Sequence, residues 1–453
     1  MAKIVPFRGL RYNLKKVTDL NLVMAPPYDV ISPEQQEALY GRDPHNVVRL
    51  ILGRINANDT DSDNRYTRAA RDFRQWLDEQ ILVRDEQPSI YLYDQEYPLE
   101  DGEMVIRQGF IALTRIEDFS TGVVKPHEKT LAGPKTDRLN LTRACAANFS
   151  PIFSIYSDSC CVLESLNRKE RERVPDIDVV DADGVKHRLW QVSDPSLIAK
   201  TQCLIDNKPL FIADGHHRYE TAINYRNEMR EKHPGYTGKE LFNYVLMYFS
   251  NMDDKGMLIF PTHRLLHGLD NLNIPQLLDA LGEFFEVESV DIDGRSPAAR
   301  RAVREKLREK GRQAHALALF GGGGLIHYLT LKNDEVMDRF FDEKSPKALR
   351  TLDVSILHRL ILENLLKISP EAQEKQTHLK YVKNFDEPFD AVLSGEFQAA
   401  FLMNPPRMSE VRDVANAGEK MPQKSTYFYP KLLSGLVINP IVEGESVADF
   451  PAC

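Results

Sequence analysis

Residues 210–223 read Leu-Phe-Ile-Ala-Asp-Gly-His-His-Arg-Tyr-Glu-Thr-Ala-Ile, and they carry the clearest structural signal in the chain. An apolar strand ends at Ala213, and Gly215 permits the tight turn that follows. Tyr219, Ala222 and Ile223 then recur at the i, i+3, i+4 spacing of a helix with one apolar stripe. A strand, a glycine turn and a helix that follow directly on one another predict an α/β unit.

The polar residues of this stretch lie at the predicted start of the helix. Amide N–H groups and the positive end of the helix dipole favour an anion there, and Arg218 adds a planar bidentate donor that suits phosphate. We therefore predict a phosphate or nucleotide site at the turn. Its predicted residues are Asp214, Gly215, His216, His217 and Arg218.

Two other interpretations of the same residues stay open. Asp214 could cap the helix while the two histidines form internal hydrogen bonds, which would make the motif purely structural. His216 and Glu220, one helical turn apart, could instead bind a metal ion, and a metal-dependent hydrolase would add His263. The chain contains no H-E-x-x-H motif and no C-x-x-C pair, so the prediction names no metal ligand.

A second cluster of ionisable residues spans residues 125–138, and glycine and proline interrupt it. Phosphoryl transfer requires positioning, charge neutralisation and a base for the attacking hydroxyl. In that scheme Lys135 and Arg138 hold a polyphosphate, Asp137 holds Mg²⁺, and Glu128 is the general base, with Asp29 or Asp137 as substitutes. An ordinary surface loop is the alternative for this cluster.

Two further segments are weaker candidates. His263 and Arg264 follow a strand-like run. They could form an added phosphate-binding pair, or they could belong to an ordinary strand-end loop. Residues 421–431 mix aromatic residues with lysines between two prolines, so they line a pocket or pack against the core.

The amino-acid composition limits the classes of partner that we expect for this protein. The 453 residues include 58 Lys+Arg and 67 Asp+Glu, which gives a net charge of −9. That balance, together with the lack of a clear helix-turn-helix, argues against a nucleic-acid partner. No window approaches the roughly 18 consecutive apolar residues of a membrane helix, and residues 1–13 do not resemble a signal peptide. We expect a cytoplasmic protein without a membrane partner, and the sequence leaves its oligomeric state open.

The pattern along the chain predicts three segments: an N-terminal α/β region at 1–120, a phosphate-binding core with an insertion at 121–268, and a C-terminal α/β region at 269–453. Ser32 is expected to cap a helix that begins at Pro33. Residues 66–77 carry a helical apolar stripe, and residues 89–97 and 104–116 read as a hairpin around Glu100-Asp101-Gly102. The run of four glycines at 321–324 lacks the spacing of a phosphate loop and predicts a hairpin turn.

Seven motifs are distributed along nearly the whole chain. They are APPYDVIS at 25–32, KPHEKT at 125–130, GPKTDRLNLTRA at 133–144, ANFSPIF at 147–153, ADGHHRYETA at 213–222, FPTHR at 260–264 and MPQKSTYFYPKLLSG at 421–435. Together they resemble one bacterial and archaeal family, known as domain of unknown function 1015. That resemblance implies no activity.

The central Asp214–Arg218 motif resembles the phosphate-binding motif of the ParB and sulfiredoxin superfamily, which includes a free serine kinase. The resemblance implies an α/β (α+β) fold with a ParB/sulfiredoxin-like mixed core between N-terminal and C-terminal additions. It also implies a nucleotide-dependent phosphotransferase that uses ATP or ADP with Mg²⁺ on a small hydroxyl acceptor, such as free L-serine. The alternatives are a non-catalytic nucleotide-binding switch and the metal-dependent hydrolase.

The candidate residues of that hypothesis divide into two sets. The catalytic candidates are Glu128, Asp137 and His217. The nucleotide-binding candidates beyond residues 214–218 are Lys135, Arg138, His263 and Arg264.

Overall fold

The computed structural model describes residues 1–99, 102–128, 132–422 and 424–448. Among the described helices, none combines the length and the apolar composition that a bilayer crossing needs. The strands are β1 Ile4–Val5, β2 Leu10–Tyr12, β3 Leu82–Arg84, β4 Ile90–Pro98, β5 Met104–Arg107, β6 Gly109–Arg115, β7 Val124–Lys125, β8 Ala147–Asn148, β9 Ile152–Tyr156, β10 Ile177–Val180, β11 Lys186–Val192, β12 Leu210–Asp214, β13 Tyr244–Asn251, β14 Leu258–Phe260, β15 His263–Leu266, β16 Phe285–Asp291, β17 Ala316–Phe320, β18 Leu325–Leu331, β19 Leu379–Val382, β20 Ala399–Met403, β21 Tyr427–Tyr429 and β22 Asn439–Pro440.

Helices alternate with these strands along the chain. The α-helices are α1 Pro33–Arg42, α2 Val48–Ile51, α3 Arg65–Asp78, α4 Ala132–Cys145, α5 Val162–Leu166, α6 Arg168–Arg171, α7 Pro195–Asp206, α8 His216–Lys232, α9 Ile274–Leu281, α10 Pro297–Gln313, α11 Lys347–Arg350, α12 Asp353–Ser355, α13 Pro370–Lys375, α14 Glu387–Leu393 and α15 Met408–Asn416. A π-helix spans Ile356–Leu365, and 3₁₀ turns include Tyr28–Val30. The predicted mixed α+β class is confirmed.

The chain divides into two compact units. Unit 1 comprises Met1–Pro126, Thr130–Leu258 and Pro430–Cys453, and unit 2 comprises His127–Lys129 and Ile259–Tyr429. This grouping differs from the three segments predicted at 1–120, 121–268 and 269–453. The physical reason is strand pairing, because β4 and β6 of the first segment pair with β11 and β13 of the second and share one sheet with them.

Unit 1 is built on a ten-stranded mixed sheet. Its path runs β10-β11-β4-β6-β13-β9-β12-β7, with β1 added on β6 and β5 on β4. The β9–β13 and β7–β12 pairs are parallel, and the other pairs are antiparallel. A continuous apolar core covers this sheet and includes Leu92, Ile152, Ile212 and Phe249, each at most 1% exposed. Because β12 belongs to this sheet, the sheet fixes the position of the turn that connects β12 to α8.

Local sequence signals place several elements of unit 1 correctly. Ser32 caps α1 in a reciprocal capping box with Gln35, as expected for a Ser that precedes Pro at the first helical position. The stripe predicted at 66–77 lies in α3, which buries Phe73 and Trp76. The predicted hairpin is formed by β4 and β5, with β6 returning to β4, while Glu100 and Asp101 of its turn lie outside the described residues.

Unit 2 has its own antiparallel sheet with the order β16-β18-β17-β20-β15-β19. The hairpin predicted around residues 321–324 is the β17–β18 pair. Its core includes Leu265, Phe320, Tyr328 and Phe389, all at most 2% exposed. In this unit α12 is followed directly by the π-helix, a form that is uncommon and often found at functional sites.

The described part of the C-terminal segment returns to unit 1. Ile438 bridges Leu10, Ser434 bridges Ala25, and β22 pairs with β8. These backbone pairings hold Lys431 and its neighbours against the sheet of unit 1.

Candidate functional site

The turn between β12 and α8 has the geometry that its sequence predicts. Gly215 has a φ of 91°, in the left-handed region, and occupies the N-cap of α8. A Cβ at this position would lie 2.8 Å from Nε of Arg218 and 2.9 Å from its Cζ. Two features therefore favour glycine at this position: the left-handed backbone conformation and the close approach of the Arg218 guanidinium group.

An ion cluster forms directly at this turn. Arg218 Nη2 donates to Asp214 Oδ2 at 2.5 Å, and Lys431 Nζ donates to Asp214 Oδ1. Burial alone would raise the pKa of the Asp214 carboxyl, but Lys431 and Arg218 hold that pKa well below its usual range. One ionised carboxylate between two cations leaves one excess positive charge beside the start of α8.

The two histidines of the motif occupy the first turn of α8. His216 is 8% exposed, and its proximity contributes to the lowered pKa of Asp214. His217 is half-buried. The expected role of Asp214 as a side-chain cap is not seen, since Gly215 is the N-cap residue and Asp214 forms salt bridges instead.

A second ion cluster joins α3 and α4. Asp137 Oδ1 accepts hydrogen bonds from Arg65 and from the Tyr66 hydroxyl, the latter at 2.7 Å. Asp137 Oδ2 accepts two hydrogen bonds from Arg138, at 2.5 and 2.8 Å. Burial raises the pKa of Asp137, but the two arginines and the Tyr66 hydroxyl outweigh it and lower that pKa. This cluster also carries one excess positive charge.

Arg138 extends this second cluster to the N-terminal motif. Its Cζ lies 3.9 Å from the centre of the Tyr28 ring, and its Nη1 donates to the carbonyl of Ile51 at 2.7 Å. Burial raises the pKa of Tyr28 to about 12, against the opposing effect of Arg138 and Arg218. Tyr28 is thus close enough to both clusters for their charges to affect its pKa.

A partly open cavity lies between these clusters within unit 1. Its lining includes Arg138 and Arg218, and most of its other residues are apolar or aromatic. The lining residues are Tyr28, Ile51, Ile116, Arg138, Leu141, Thr142, Ala147, Asn148, Phe149, Ser150, Ile152, Arg218, Thr221, Ala222, Tyr225, Phe242, Tyr244, Val245 and Ile441.

Four of the sequence motifs converge on this cavity. Tyr28 comes from APPYDVIS, Arg138 from GPKTDRLNLTRA, Phe149 from ANFSPIF and Arg218 from ADGHHRYETA. A fifth motif reaches the same cluster, because Lys431 binds Asp214. Tyr28 and Lys431 are about 400 positions apart in the sequence. The sheet of unit 1 and the pairing of the C-terminal segment with it place both residues in this region.

Lys135 lies next to this region but is paired. Its Nζ is 2.9 Å from a carboxylate oxygen of Glu220 on α8. Thr221 Oγ1 also donates to the Lys135 carbonyl at 3.4 Å. Glu220, the second ligand of the metal alternative, is therefore engaged with a lysine.

The remaining predicted residues belong to unit 2. Glu128 Oε1 accepts a hydrogen bond from the Lys424 amide at 2.7 Å. His263 and Arg264 lie on β15 and are 0% and 1% exposed. Lys129, Thr130 and Gln423 of the neighbouring motifs lie outside the described residues. The residues that unit 1 assembles are thus Asp214 to Arg218, Lys135, Asp137 and Arg138.

Sequence reasoning did not single out Tyr28, Arg65 or Lys431 as site residues. Tyr28 stands in the proline-containing APPYDVIS motif, and Lys431 in the segment predicted to line a pocket or to pack against the core. Arg65 lies on the polar face of the predicted helix, which gives no signal of its own. A motif that combines an aromatic or basic residue with prolines was the available hint for the first two.

The residues present do not form an obvious metal site. Both oxygens of Asp137 accept hydrogen bonds from charged or hydroxyl donors, so this carboxylate offers no oxygen for Mg²⁺ as it stands. Among the residues that the structure describes, no group of three His, Cys, Asp or Glu side chains could hold a metal ion. We therefore derive no step through a protein-bound metal.

Sequence comparison identifies the family. The family model described as "Protein of unknown function (DUF1015)" matches residues 4–355. The chain belongs to the DUF1015 family. Among curated proteins, none matches this DUF1015 sequence.

Solved structures similar to this DUF1015 protein have low sequence identity. A conserved hypothetical protein from Pyrococcus furiosus has 15% identity and a TM-score of 0.30, covering 68% of this chain and 87% of that one. A free serine kinase variant in complex with ADP has 14% identity and a TM-score of 0.33, covering 68% and 84%. SbnI from Staphylococcus aureus with a C-terminal truncation has 10% identity and a TM-score of 0.32, covering 74% and 90%. These values express a distant likeness.

Proposed function

We propose that this protein is a nucleotide-dependent phosphotransferase that acts on a small hydroxyl metabolite, with free L-serine as the first candidate. The observation that carries the proposal is the cavity of unit 1, on which four separate sequence motifs converge beside two ion clusters. Each cluster holds one carboxylate between two cations, so both present a net positive charge. An anionic ligand would neutralise the net positive charge of these clusters.

The residues that line the cavity have the chemistry to bind a nucleotide. Leu141, Phe149 and Phe242 belong to the apolar wall, which fits the flat face of a base. Arg138 and Arg218 supply planar donors that match phosphate oxygens. The start of α8 adds amide donors and the positive end of the helix dipole. The resemblance of the Asp214–Arg218 motif to the ParB and sulfiredoxin superfamily supports the same assignment.

In the proposed mechanism, Arg218, Arg138 and the first turn of α8 hold the nucleotide phosphates, with His216 and His217 beside them. Positioning and charge neutralisation are the main requirements of phosphoryl transfer. Mg²⁺ enters with the nucleotide as part of the substrate. Lys135 would join the phosphates on release from Glu220.

The general base is proposed among the carboxylates of unit 1. Asp29 is exposed and adjacent in sequence to Tyr28 of the cavity wall. Asp137 is held by Arg65 and Arg138. Glu128, the base predicted from the sequence, belongs to unit 2. Asp29→Asn tests the first candidate, because loss of the base lowers turnover while nucleotide affinity is retained.

The experiment incubates the purified protein with Mg²⁺, with ATP, ADP, CTP or pyrophosphate, and with L-serine beside other small hydroxyl acceptors. Mass spectrometry then detects the phosphorylated product. We expect one donor to yield product and Arg218→Ala to reduce its formation at least about 100-fold, because the variant removes a guanidinium that stabilises transferring phosphate.

Arg143→Ala is the matched control. Arg143 lies on α4, is 48% exposed and pairs with Glu228, so its removal should leave turnover within about twofold. Equal turnover in Arg218→Ala and the unchanged protein would remove Arg218 from the mechanism. Nucleotide binding without product from any acceptor would contradict the transferase and support a non-catalytic nucleotide switch.

A further inference from the structure

Asn148 lines the cavity of unit 1 but has no role in the proposed phosphoryl transfer. It forms β8 together with Ala147 and belongs to the ANFSPIF motif at 147–153. Its neighbours Ala147 and Phe149 line the same cavity. Asn148 therefore introduces a polar side chain into a largely apolar stretch of the cavity wall.

Two hydrogen bonds fix the orientation of the Asn148 carboxamide. Its Oδ1 accepts from the Leu246 amide at 3.2 Å and from Asn439 Nδ2 at 3.0 Å. A backbone N–H can only donate, so the atom that faces Leu246 must be the oxygen of the carboxamide. Leu246 on β13 and Asn439 on β22 are 0% and 2% exposed, and both belong to unit 1. The packed strands thus hold Asn148 in one orientation.

The amide nitrogen is the part of this side chain that remains for a ligand. Among the described residues, none accepts a hydrogen bond from Asn148 Nδ2, which leaves both of its N–H donors. Asn148 is half-buried and its Nδ2 is accessible. A molecule in the cavity that carries a hydrogen-bond acceptor would satisfy these donors.

Three hydroxyl groups of the lining are already engaged within the protein. The Thr142 and Thr221 hydroxyls donate to backbone carbonyls of α4, at 2.9 and 3.4 Å, and Ser150 Oγ lies 2.6 Å from Ser434 Oγ. The described lining contains no Asp or Glu. The wall around Asn148 therefore offers a neutral donor without a carboxylate to compete for it.

The Asn148 donor is separate from the two guanidinium groups of the cavity. Arg138 and Arg218 form their hydrogen bonds with neighbouring carboxylates and backbone carbonyls, and neither bonds to Asn148. Arg218 and Tyr225 both line the cavity and are seven residues apart on α8. Seven residues correspond to about 10 Å along a helix axis. The cavity therefore extends well beyond the guanidinium of Arg218, and a phosphate alone would not fill it.

A neutral donor suits one part of a nucleotide better than the others. The charged phosphates match the planar guanidinium groups of Arg138 and Arg218. The edges of the bases present ring nitrogens and carbonyl oxygens, which are neutral acceptors. A site that is built to form such a hydrogen bond rejects a ligand without the acceptor, because its own polar group is then left unpaired.

We propose that Asn148 is a specificity-determining residue of the nucleotide site, whose Nδ2 donates to a ring nitrogen or carbonyl oxygen of the base. This assignment rests on the proposed function, because it requires a nucleotide in the cavity of unit 1. It adds recognition of the base to the phosphate contacts of Arg138 and Arg218.

The test measures the affinity of the full-length protein for AMP, CMP, GMP, UMP and ribose 5-phosphate by titration calorimetry. Ribose 5-phosphate carries the same sugar and phosphate but no base. The readout is the ratio of the affinity for the tightest-binding nucleotide to the affinity for ribose 5-phosphate. We expect Asn148→Ala to lower this ratio at least about fivefold, because the variant removes the hydrogen bond to the base.

Asn148→Asp is the second variant, and it should fold because it keeps an oxygen for Leu246 and Asn439. It replaces the donor nitrogen by an oxygen, so the ratio should again fall at least about fivefold. Its added charge repels the phosphate of every ligand in the series, and the ratio therefore isolates the contact with the base.

Asn140→Ala is the matched control. Asn140 lies on α4 outside the cavity lining and accepts a hydrogen bond from Arg143 at 3.2 Å, so the ratio should stay within about twofold. A ratio that is unchanged in both Asn148 variants, while a nucleotide still binds, overturns the role of Asn148 alone. An equal loss of affinity for nucleotide and ribose 5-phosphate overturns the assignment to the base. If the unchanged protein binds none of the nucleotides, the proposed function and this inference both fail.

Discussion

At the residue scale, Gly215 occupies a backbone conformation that a side chain would strain. It combines a positive φ with a guanidinium group that lies where a Cβ would stand. Gly215→Ala should lower the free energy of unfolding of unit 1 by about 1–3 kcal/mol, because alanine is strained in this conformation. Denaturant unfolding measures the change.

Gly41→Ala is the control for that substitution. Gly41 lies in α1, and a Cβ there meets nothing within 4 Å. Because alanine favours the helix, this variant should be stabilised by up to about 1 kcal/mol. A loss of stability in Gly41→Ala as large as that in Gly215→Ala would contradict the explanation from backbone strain.

Asp214 makes a second prediction at the residue scale, for stability against pH. Its pKa in the folded protein is lowered, so its contribution is complete above the unfolded pKa of about 3.9 and is lost as pH falls through the folded pKa. Asp214→Asn should cost about 3 kcal/mol at pH 7, because it leaves Arg218 and Lys431 without their counterion. The cost should shrink as the pH falls below about 4, which denaturation curves across pH will show.

Glu37→Gln tests whether that effect depends on burial. Glu37 pairs with Arg54, and the two side chains are 59% and 45% exposed. Its removal should cost less than about 1 kcal/mol at pH 7. A penalty for Asp214→Asn that stays constant from pH 7 to pH 2 would contradict the linkage argument.

At the element scale, the start of α1 connects the Tyr28 motif to a regular helix. Ser32 Oγ accepts from the Gln35 amide at 3.2 Å, and Gln35 Oε1 accepts from the Ser32 amide at 3.0 Å. Ser32→Ala should destabilise α1 by about 1 kcal/mol. Amide hydrogen exchange along α1 measures the local opening.

Ser296→Ala provides the comparison in unit 2, where Ser296 caps α10 without a reciprocal partner. It should raise exchange in α10 and leave α1 unchanged. Increased exchange throughout unit 1 in Ser32→Ala would mean that the cap supports the whole unit and not one helix.

At the scale of the whole molecule, the C-terminal segment is part of unit 1. Residues 430–448 contribute Lys431 to the ion cluster, bridge Leu10 and Ala25, and add β22 to β8. A protein truncated after Tyr429 should lose protection from hydrogen exchange around Asp214 and lose nucleotide binding, because these contacts span most of the sequence. Mass-spectrometric exchange and calorimetry measure the two effects.

Adding a peptide of residues 430–448 to the truncated protein is the matching experiment. Restored protection around Asp214 would show that the segment acts by docking. Full protection and full nucleotide binding in the truncated protein without the peptide would contradict the assignment of this segment to unit 1.

The sequence by itself determined the local structure of this protein. Periodicity placed α3, proline and serine placed the start of α1, and an apolar run followed by Gly215 placed the β12–α8 turn. These features depend on neighbouring residues, whose propensities and hydrogen bonds act within a few positions. The basic character of the turn was likewise visible from residues 214–218.

The contacts between residues that are far apart in the sequence are known only from the tertiary structure. It joined β4 and β6 to β11 and β13, paired Lys431 with Asp214, and placed Asp137 between Arg65 and Arg138. A single sequence carries no signal for such contacts, since strand pairing and ion pairing across hundreds of residues depend on the global packing of the sheet. That packing brings four separate motifs to one cavity and a fifth to the ion cluster beside it, because the sheet fixes the positions of strands and helices that are far apart in the sequence.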